Sequence, residues 1–252
     1  MATDSHTIVL IHGYGFVSRI WNPVESAFNG YNVIRLSLPG FGDDDLSGPY
    51  TIEALAQHYW AILGEDGETL VHLVGHSMGG YVCMEMLAQQ PGRVASLCLL
   101  HSHVFADAEE KKEARTAILE EIQSKGREAF VRRMIGSMVF DKEQHAALIK
   151  QLVERGLMYG DDAWYNGTLA IRDRNDHADT LRNFHGPCLL IMGEADTAIP
   201  IALGYKQAAQ AQQAVLIIYP NVGHLSMYEN TNALIRDLKK YYSEIIRQDS
   251  LD

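Results

Sequence analysis

Cysteine is scarce in this chain. The three thiols, Cys83, Cys98 and Cys188, all fall in apolar segments and lack the spacing of a disulfide framework or a metal cluster. An odd number of buried thiols fits a reducing compartment. Positive charge is also short: 21 Lys and Arg face 32 Asp and Glu, a formal net charge of −11. That balance argues against nucleic acid or an anionic membrane as a partner. No apolar run approaches the roughly 18 residues of a membrane span. The first residues, Met1 to His6, carry no basic region ahead of an apolar one, so no signal peptide is expected. Internal repeats and low-complexity linkers are missing, and no His, Cys, Asp or Glu group has metal-ligand spacing. The expectation is a cytoplasmic monomer or homodimer without a metal, a cofactor or a membrane span. Its partner would be a small molecule.

What is present is ordinary globular composition, 47% apolar and 21% charged over 252 residues. Such a chain is long enough for one domain with a large core, or one domain with an insertion. Short β-branched runs alternate with helical patterns. Strands are expected at Thr7–Ile11, Asn32–Leu38, Thr69–Val74, Val94–Leu100, Pro187–Met192 and Ala214–Tyr219. Helices are expected at Thr51–Leu63, Met78–Gln90, Ile201–Gln212 and Ser226–Arg247. Several strands are apolar throughout, as parallel strands buried on both faces are. The alternation predicts a three-layer α/β/α arrangement around a mostly parallel sheet, with ligands at the carboxyl ends of the strands. One segment breaks it. From 103 to 185 only amphipathic helical pattern appears, so the core is expected at 1–102 and 186–252 with a helical lid between.

The most informative stretch is Gly75-His76-Ser77-Met78-Gly79-Gly80, between an expected strand and an expected helix. A small-x-Ser-x-small sequence at such a junction is the signature of a nucleophile elbow, a sharp turn that presents a serine hydroxyl at a helix N-terminus. A serine needs a base to take its proton, and the base needs a carboxylate to orient it. Both should follow later strands, acid first. Asp196 follows the fifth expected strand in Gly193-Glu194-Ala195-Asp196, and His224 follows the sixth in Pro220-Asn221-Val222-Gly223-His224. The first strand runs into His12-Gly13-Tyr14-Gly15, a Gly-rich loop able to offer a backbone N–H. The Met78 N–H at the head of the elbow helix is the natural second donor for an oxyanion.

With Leu38-Pro39-Gly40-Phe41-Gly42-Asp43 added, these segments span nearly the whole chain in order. The chain resembles the α/β-hydrolase fold enzymes, close in pattern to small cofactor-free serine carboxylesterases and enol-lactonases. The resemblance implies Ser77 as nucleophile, His224 as general base then acid, and Asp196 as its orienter. It also implies the Tyr14 and Met78 N–H groups as the oxyanion hole. Two departures stand out. Only about six residues precede the first strand where the family usually has a hairpin, so six strands are expected. Asp43-Asp44-Asp45 replaces a small residue after Phe41-Gly42, and is read as an exposed acidic turn.

The resulting expectation is a hydrolase for a small to medium, mainly apolar ester or lactone, with thioesterase and carbon–carbon bond hydrolase as alternatives within the fold. A hydrolase-fold receptor with slow turnover is the alternative outside enzymes. Candidate pocket residues are His101 and His103, just past the fourth strand, and Phe130, Met134, Met138, Met158 and Trp164 in the lid. Packing between lid and core is the competing reading for the Met and aromatic residues. His12 is read as tying loops together, His76 as packing, and Asp107 as a rival acid weaker than Asp196. Asn166-Gly167-Thr168 matches a glycosylation sequon and is taken as chance.

Overall fold

The computed structural model describes residues 7–44, 46, 48–64 and 70–249, with side chains as far as 245. Thr69, Asp45 and the first six residues lie outside them. Six parallel strands form one sheet in the order β2-β1-β3-β4-β5-β6. They are β1 (Thr7–Ile11), β2 (Asn32–Leu36), β3 (Val71–His76), β4 (Val94–Leu100), β5 (Cys188–Gly193) and β6 (Ala214–Tyr219). Every residue of β1, β3 and β5 is buried, which is why these strands read as continuous apolar runs. The edge strands β2 and β6 are only partly buried. All three cysteines are free and buried.

Helices α1 (Ile52–Ile62) and α2 (Met78–Gln89) precede β3 and β4 respectively. Thr51 caps α1 by accepting the Ala54 N–H. Between β4 and β5 come five helices: α3 (Glu109–Lys125), α4 (Glu128–Gly136), α5 (Ala146–Gly156), α6 (Asp161–Arg172) and α7 (Ala178–Asn183). The expected strandless segment is thus helical. Then α8 (Ile201–Ala208) joins β5 to β6, and α9 (Ser226–Glu229) and α10 (Thr231–Asp249) close the chain. None of the described helices is long and apolar enough to cross a membrane.

Several elements differ from expectation: β2 ends two residues early at Leu36, and β3 and β5 run on to His76 and Gly193. A 3-10 helix over Ser18–Phe28, with Pro23 inside it and no side-chain cap, buries Ile20, Trp21, Val24, Ala27 and Phe28. The expected helix from Ser226 is broken at Asn230, whose backbone (φ −144°, ψ 45°) leaves the helical region. Helix α8 stops at Ala208, four residues early. The acidic turn is also less exposed than expected at Asp44, which accepts the Leu46 N–H at 2.7 Å and faces His58 at 3.3 Å.

Candidate active site

Ser77 stands between β3 and α2 with φ 52° and ψ −118°. For a non-glycine residue this is strained backbone, at a cost of about 1–3 kcal/mol. The surroundings hold it there. Its N–H donates to Leu100 O at 3.0 Å, and its carbonyl accepts from the Gly80 N–H and the Ser102 hydroxyl at 2.9 and 2.7 Å. Two glycines make the turn possible by letting backbone pass. A Cβ on Gly75 would lie 2.5 Å from Gly79 O, and one on Gly79 would lie 2.2 Å from Ile11 O. Ser77 is partly exposed while its neighbours are buried.

Asp196 follows β5 in a tight turn. Its Oδ1 accepts the Ala198 and Ile199 N–H groups at 2.9 and 3.0 Å, and its Oδ2 lies 2.7 Å from His224 Nδ1. Burial alone would raise its pKa. The imidazoles of His224 and His101 outweigh burial, so the carboxyl stays well below its ordinary range. The acid and histidine loops meet because two glycines touch: a Cβ on Gly193 would lie 2.1 Å from Gly223 O.

His224 is fixed from several sides. Its N–H donates to Met138 O at 2.6 Å, and its carbonyl accepts from His76 Nε2 at 3.0 Å. Glu229 holds the flanking backbone, accepting from Gly223 N at 3.0 Å, Leu225 N at 3.1 Å and Phe140 N at 2.7 Å. One carboxylate therefore ties the histidine loop to the segment between α4 and α5. Sequence reading passed over Glu229, five residues beyond His224.

The loop after β1 lies against the elbow, since a Cβ on Gly13 would lie 3.1 Å from Ser77 Cβ. His12 braces this loop: Nδ1 donates to Gly13 O at 2.9 Å, and Nε2 accepts the Leu38 N–H at 3.0 Å. Burial pushes its pKa down to about 4, so it is neutral. This is the loop-tying role expected of it. The side chain of Tyr14 leaves the loop and enters the helical insertion. Its hydroxyl donates to Trp164 O and lies 2.7 Å from Thr168 Oγ1. Gly167 passes under the ring, where a Cβ would lie 2.4 Å from Tyr14 Cε2. Of the sequon residues, Gly167 and Thr168 are buried in α6 and serve packing, while Asn166 is partly exposed.

Several expected pocket residues are placed otherwise. His101 is fully buried and turned towards Asp196, with Nδ1 at 3.3 Å from Oδ2, because β4 lies beside β5 in the sheet. His103 is buried between Tyr81 and Phe105, accepts the Phe105 N–H at 3.1 Å, and faces Arg174 at 3.4 Å. Burial, with the Arg174 charge, lowers its pKa to about 3. Phe130 and Trp164 fill an aromatic cluster with Tyr14 and Phe41. Met158 is 81% exposed and lines a surface cavity of about 340 Å³ with Arg19, Asp43 and Arg155. Met134 approaches Gly15, and Met138 is buried beside the His224 loop. The rival acid Asp107 is committed to Arg115 and to Arg174, the latter at 2.8 Å.

Among the described residues, His101, Asp196 and His224 are the one group of His, Cys, Asp or Glu side chains close enough to share an ion. Both Nδ1 atoms turn to the same carboxylate oxygen. That is the geometry of shared protons, with no room left between 2.7 Å partners for a cation.

A family model described as "Alpha/beta hydrolase family" matches residues 8–237. The chain is 28% identical over 233 residues to the dihydrolipoyllysine-residue acetyltransferase component of an acetoin cleaving system from Pseudomonas putida. That match covers 88% of this chain and 59% of the relative, so the chain spans less than two thirds of that protein's length. It is 26% identical over 253 residues to a pimeloyl-(acyl-carrier protein) methyl ester esterase from Neisseria meningitidis serogroup C, covering 91% of this chain and 92% of the relative. Among solved structures, a thermophilic esterase from Thermogutta terrifontis superposes with a TM-score of 0.85 at 23% identity, over 96% of this chain and 90% of that one.

Proposed function

Because the chain belongs to the alpha/beta hydrolase family, we propose that it is a serine hydrolase that cleaves a small to medium, mainly apolar carboxylic ester or lactone. The observation that carries this reading is the buried Asp196–His224 pair at 2.7 Å, on strand-end loops beside the strained Ser77 turn. Nδ1 of His224 is committed to the carboxylate, which leaves Nε2 as the basic nitrogen.

In this mechanism His224 Nε2 takes the Ser77 proton as Oγ attacks the carbonyl carbon. The carbonyl oxygen becomes an oxyanion, held by the Tyr14 and Met78 N–H groups. Donors of this kind are worth about 3 kcal/mol each in the transition state. The imidazolium, stabilised by Asp196, gives its proton to the alcohol oxygen as the ester C–O bond breaks. Water then loses a proton to the same nitrogen, attacks the acyl-enzyme and releases the acid, with the proton returned to Ser77. The helical insertion, residues 103–185, serves as the lid. Met134, near Gly15, and Met138, beside the His224 loop, give its inner side apolar character, which favours apolar acyl or alcohol parts. The methyl ester named for the Neisseria relative supports an ester as substrate.

The test is a panel of chromogenic esters of increasing acyl length, with a lactone, a thioester and a charged acyl ester included. Neutral esters or lactones should turn over many times per enzyme, and Ser77→Ala should lose the activity. A Ser77→Ala variant hydrolysing at the parent rate would overturn the reading. Faster turnover of the charged acyl ester would remove the apolar pocket from it.

A further inference from the structure

Two histidines converge on one carboxylate, and the serine mechanism uses only one of them. His101 sits one residue past β4 with φ 49°, a conformation uncommon outside glycine and met chiefly at Asn, Asp and His. Its N–H donates to Ile191 O at 2.8 Å, which pins the backbone to β5, the strand that carries Asp196. The ring is fully buried. Its Nε2 lies 2.8 Å from Ser226 Oγ and 3.4 Å from the Ser226 backbone nitrogen. A backbone N–H can only donate, so Nε2 is an acceptor and the neutral ring carries its proton on Nδ1. That atom makes no hydrogen bond among the described residues, and Asp196 Oδ2 lies 3.3 Å from it, at ion-pair distance.

We propose that His101 is a positioning residue that holds Asp196 through an Nδ1–H directed at the oxygen that binds His224, and so sets the basicity of the His224 imidazole. The proposal rests on the serine-hydrolase reading for its catalytic meaning, though the proton coupling itself does not require a substrate. Two consequences follow from the geometry. A second donor on Oδ2 fixes the carboxylate rotamer facing His224. It also draws charge from that oxygen, so the imidazolium form of His224 is stabilised less than by an unshared carboxylate. His101 has to remain neutral while His224 cycles through its cation, because their rings are 5.6 Å apart in a buried site. Burial keeps the His101 pKa below the ordinary histidine value.

The other groups facing this pair come from separate elements. His76, at the end of β3, has its ring 4.9 Å from that of His224 and 6.0 Å from that of His101. Burial likewise holds it well below the ordinary value, so it contributes no cation at neutral pH. Glu229, from α9, acts on His101 as a distant negative charge while its oxygens serve backbone donors. Ser226 supplies the hydroxyl on Nε2. None of these replaces the Nδ1–H on Asp196.

The first measurement needs no variant: ¹⁵N spectra of the histidine-labelled full chain report which ring nitrogen of His101 is protonated. The Nδ1–H tautomer is expected between pH 6 and 8, and an Nε2–H tautomer would overturn the proposal. The second follows the His224 titration by NMR and the acid limb of kcat/KM in two variants. His101→Leu removes the donor, and the His224 midpoint should rise by about half to one pH unit. His101→Asn keeps an N–H near the Nδ1 position and tolerates the positive φ, and should return the midpoint towards that of the parent. A His101→Leu enzyme with reduced activity and an unmoved midpoint would reduce His101 to a packing role. If His101→Leu does not fold, the tautomer and a parent-like His101→Asn midpoint decide. A moved His224 midpoint in a chain with no hydrolase activity would leave the coupling standing and sink the substrate reading instead.

Discussion

Asp196 illustrates how much one side chain can be asked to do. It accepts two backbone N–H groups on one oxygen and the His224 N–H on the other, with His101 Nδ1 3.3 Å from that second oxygen, in a buried turn. Replacing it by asparagine keeps the shape and removes the charge, and the new amide can present an N–H where His224 needs an acceptor. On the proposed mechanism Asp196→Asn should lower kcat by about a thousandfold or more with little change in KM. Steady-state kinetics on the best ester of the panel measure this, and a loss below tenfold would remove Asp196 from the orienting role. Ser77, Asp196 and His224 were legible in the sequence because each closes an apolar run with a local signature. The place of His101 beside Asp196 was not legible. It depends on β4 lying next to β5, a long-range pairing that no local pattern around Leu100 encodes. Glu229 was missed for a similar reason, since an acidic residue in a helical pattern gives no sign that its oxygens serve three backbone donors.

At the scale of elements, α6 is joined to the β1 loop by Tyr14. The contact is close on both sides: Gly167 passes the Tyr14 ring, and a Cβ on Gly15 would lie 2.4 Å from Trp164 Cη2. Since Tyr14 is also the proposed oxyanion donor, displacing its ring should disturb chemistry as well as stability. Gly167→Ala puts a methyl 2.4 Å from Tyr14 Cε2, so the ring or the helix has to move. We expect kcat/KM to fall at least tenfold, with thermal stability lowered by about 1–3 kcal/mol. Gly136→Ala, at the end of α4 in the same insertion, meets open space and serves as the control. It should leave kinetics unchanged and stabilise by about 0.5–1 kcal/mol through helix propensity. Equal kinetic effects of the two substitutions would disconnect the insertion from the oxyanion loop. The inner strands were readable because buried parallel strands are continuous apolar runs, and the edge strands β2 and β6 by their β-branched residues. The Ser18–Phe28 helix was not, as Pro23 and the uncapped start hide an otherwise regular apolar spacing. The break at Asn230, between α9 and α10, falls at a residue type favoured at helix starts, but the apolar spacing runs across it and hides it.

Across the whole molecule, acid sensitivity is built into the histidines. His12 and His103 are neutral and buried, with pKa values of about 4 and about 3, and burial also lowers those of His76 and His101. In the unfolded chain each would titrate near 6.5. A histidine whose folded pKa lies below its unfolded one adds stability that is fully present above pH 6.5. That stability is lost as the pH falls towards the folded pKa, because the unfolded state then binds more protons. Between pH 7.5 and 5.5 His12 and His103 should therefore each cost about 1.4 kcal/mol of unfolding free energy. The carboxylates add to the fall only at lower pH. Glu85 is held below its ordinary pKa by the His177 hydrogen bond. At Asp107 burial is outweighed by Arg174 and Arg115, and the pKa is lowered too. Their stabilisation is intact above about pH 5 and lost beneath it. Urea unfolding at pH 7.5, 6.5 and 5.5 measures the histidine contribution, and His12 and His103 alone should account for about 3 kcal/mol across that range. His103→Phe removes one titrating group while keeping a ring against Tyr81 and Phe105, so its stability should depend less steeply on pH by about one histidine's share. A stability that stayed level from pH 7.5 to 5.5 would mean that these rings are protonated in the fold, which neither the Leu38 N–H on His12 nor the Arg174 guanidinium beside His103 permits.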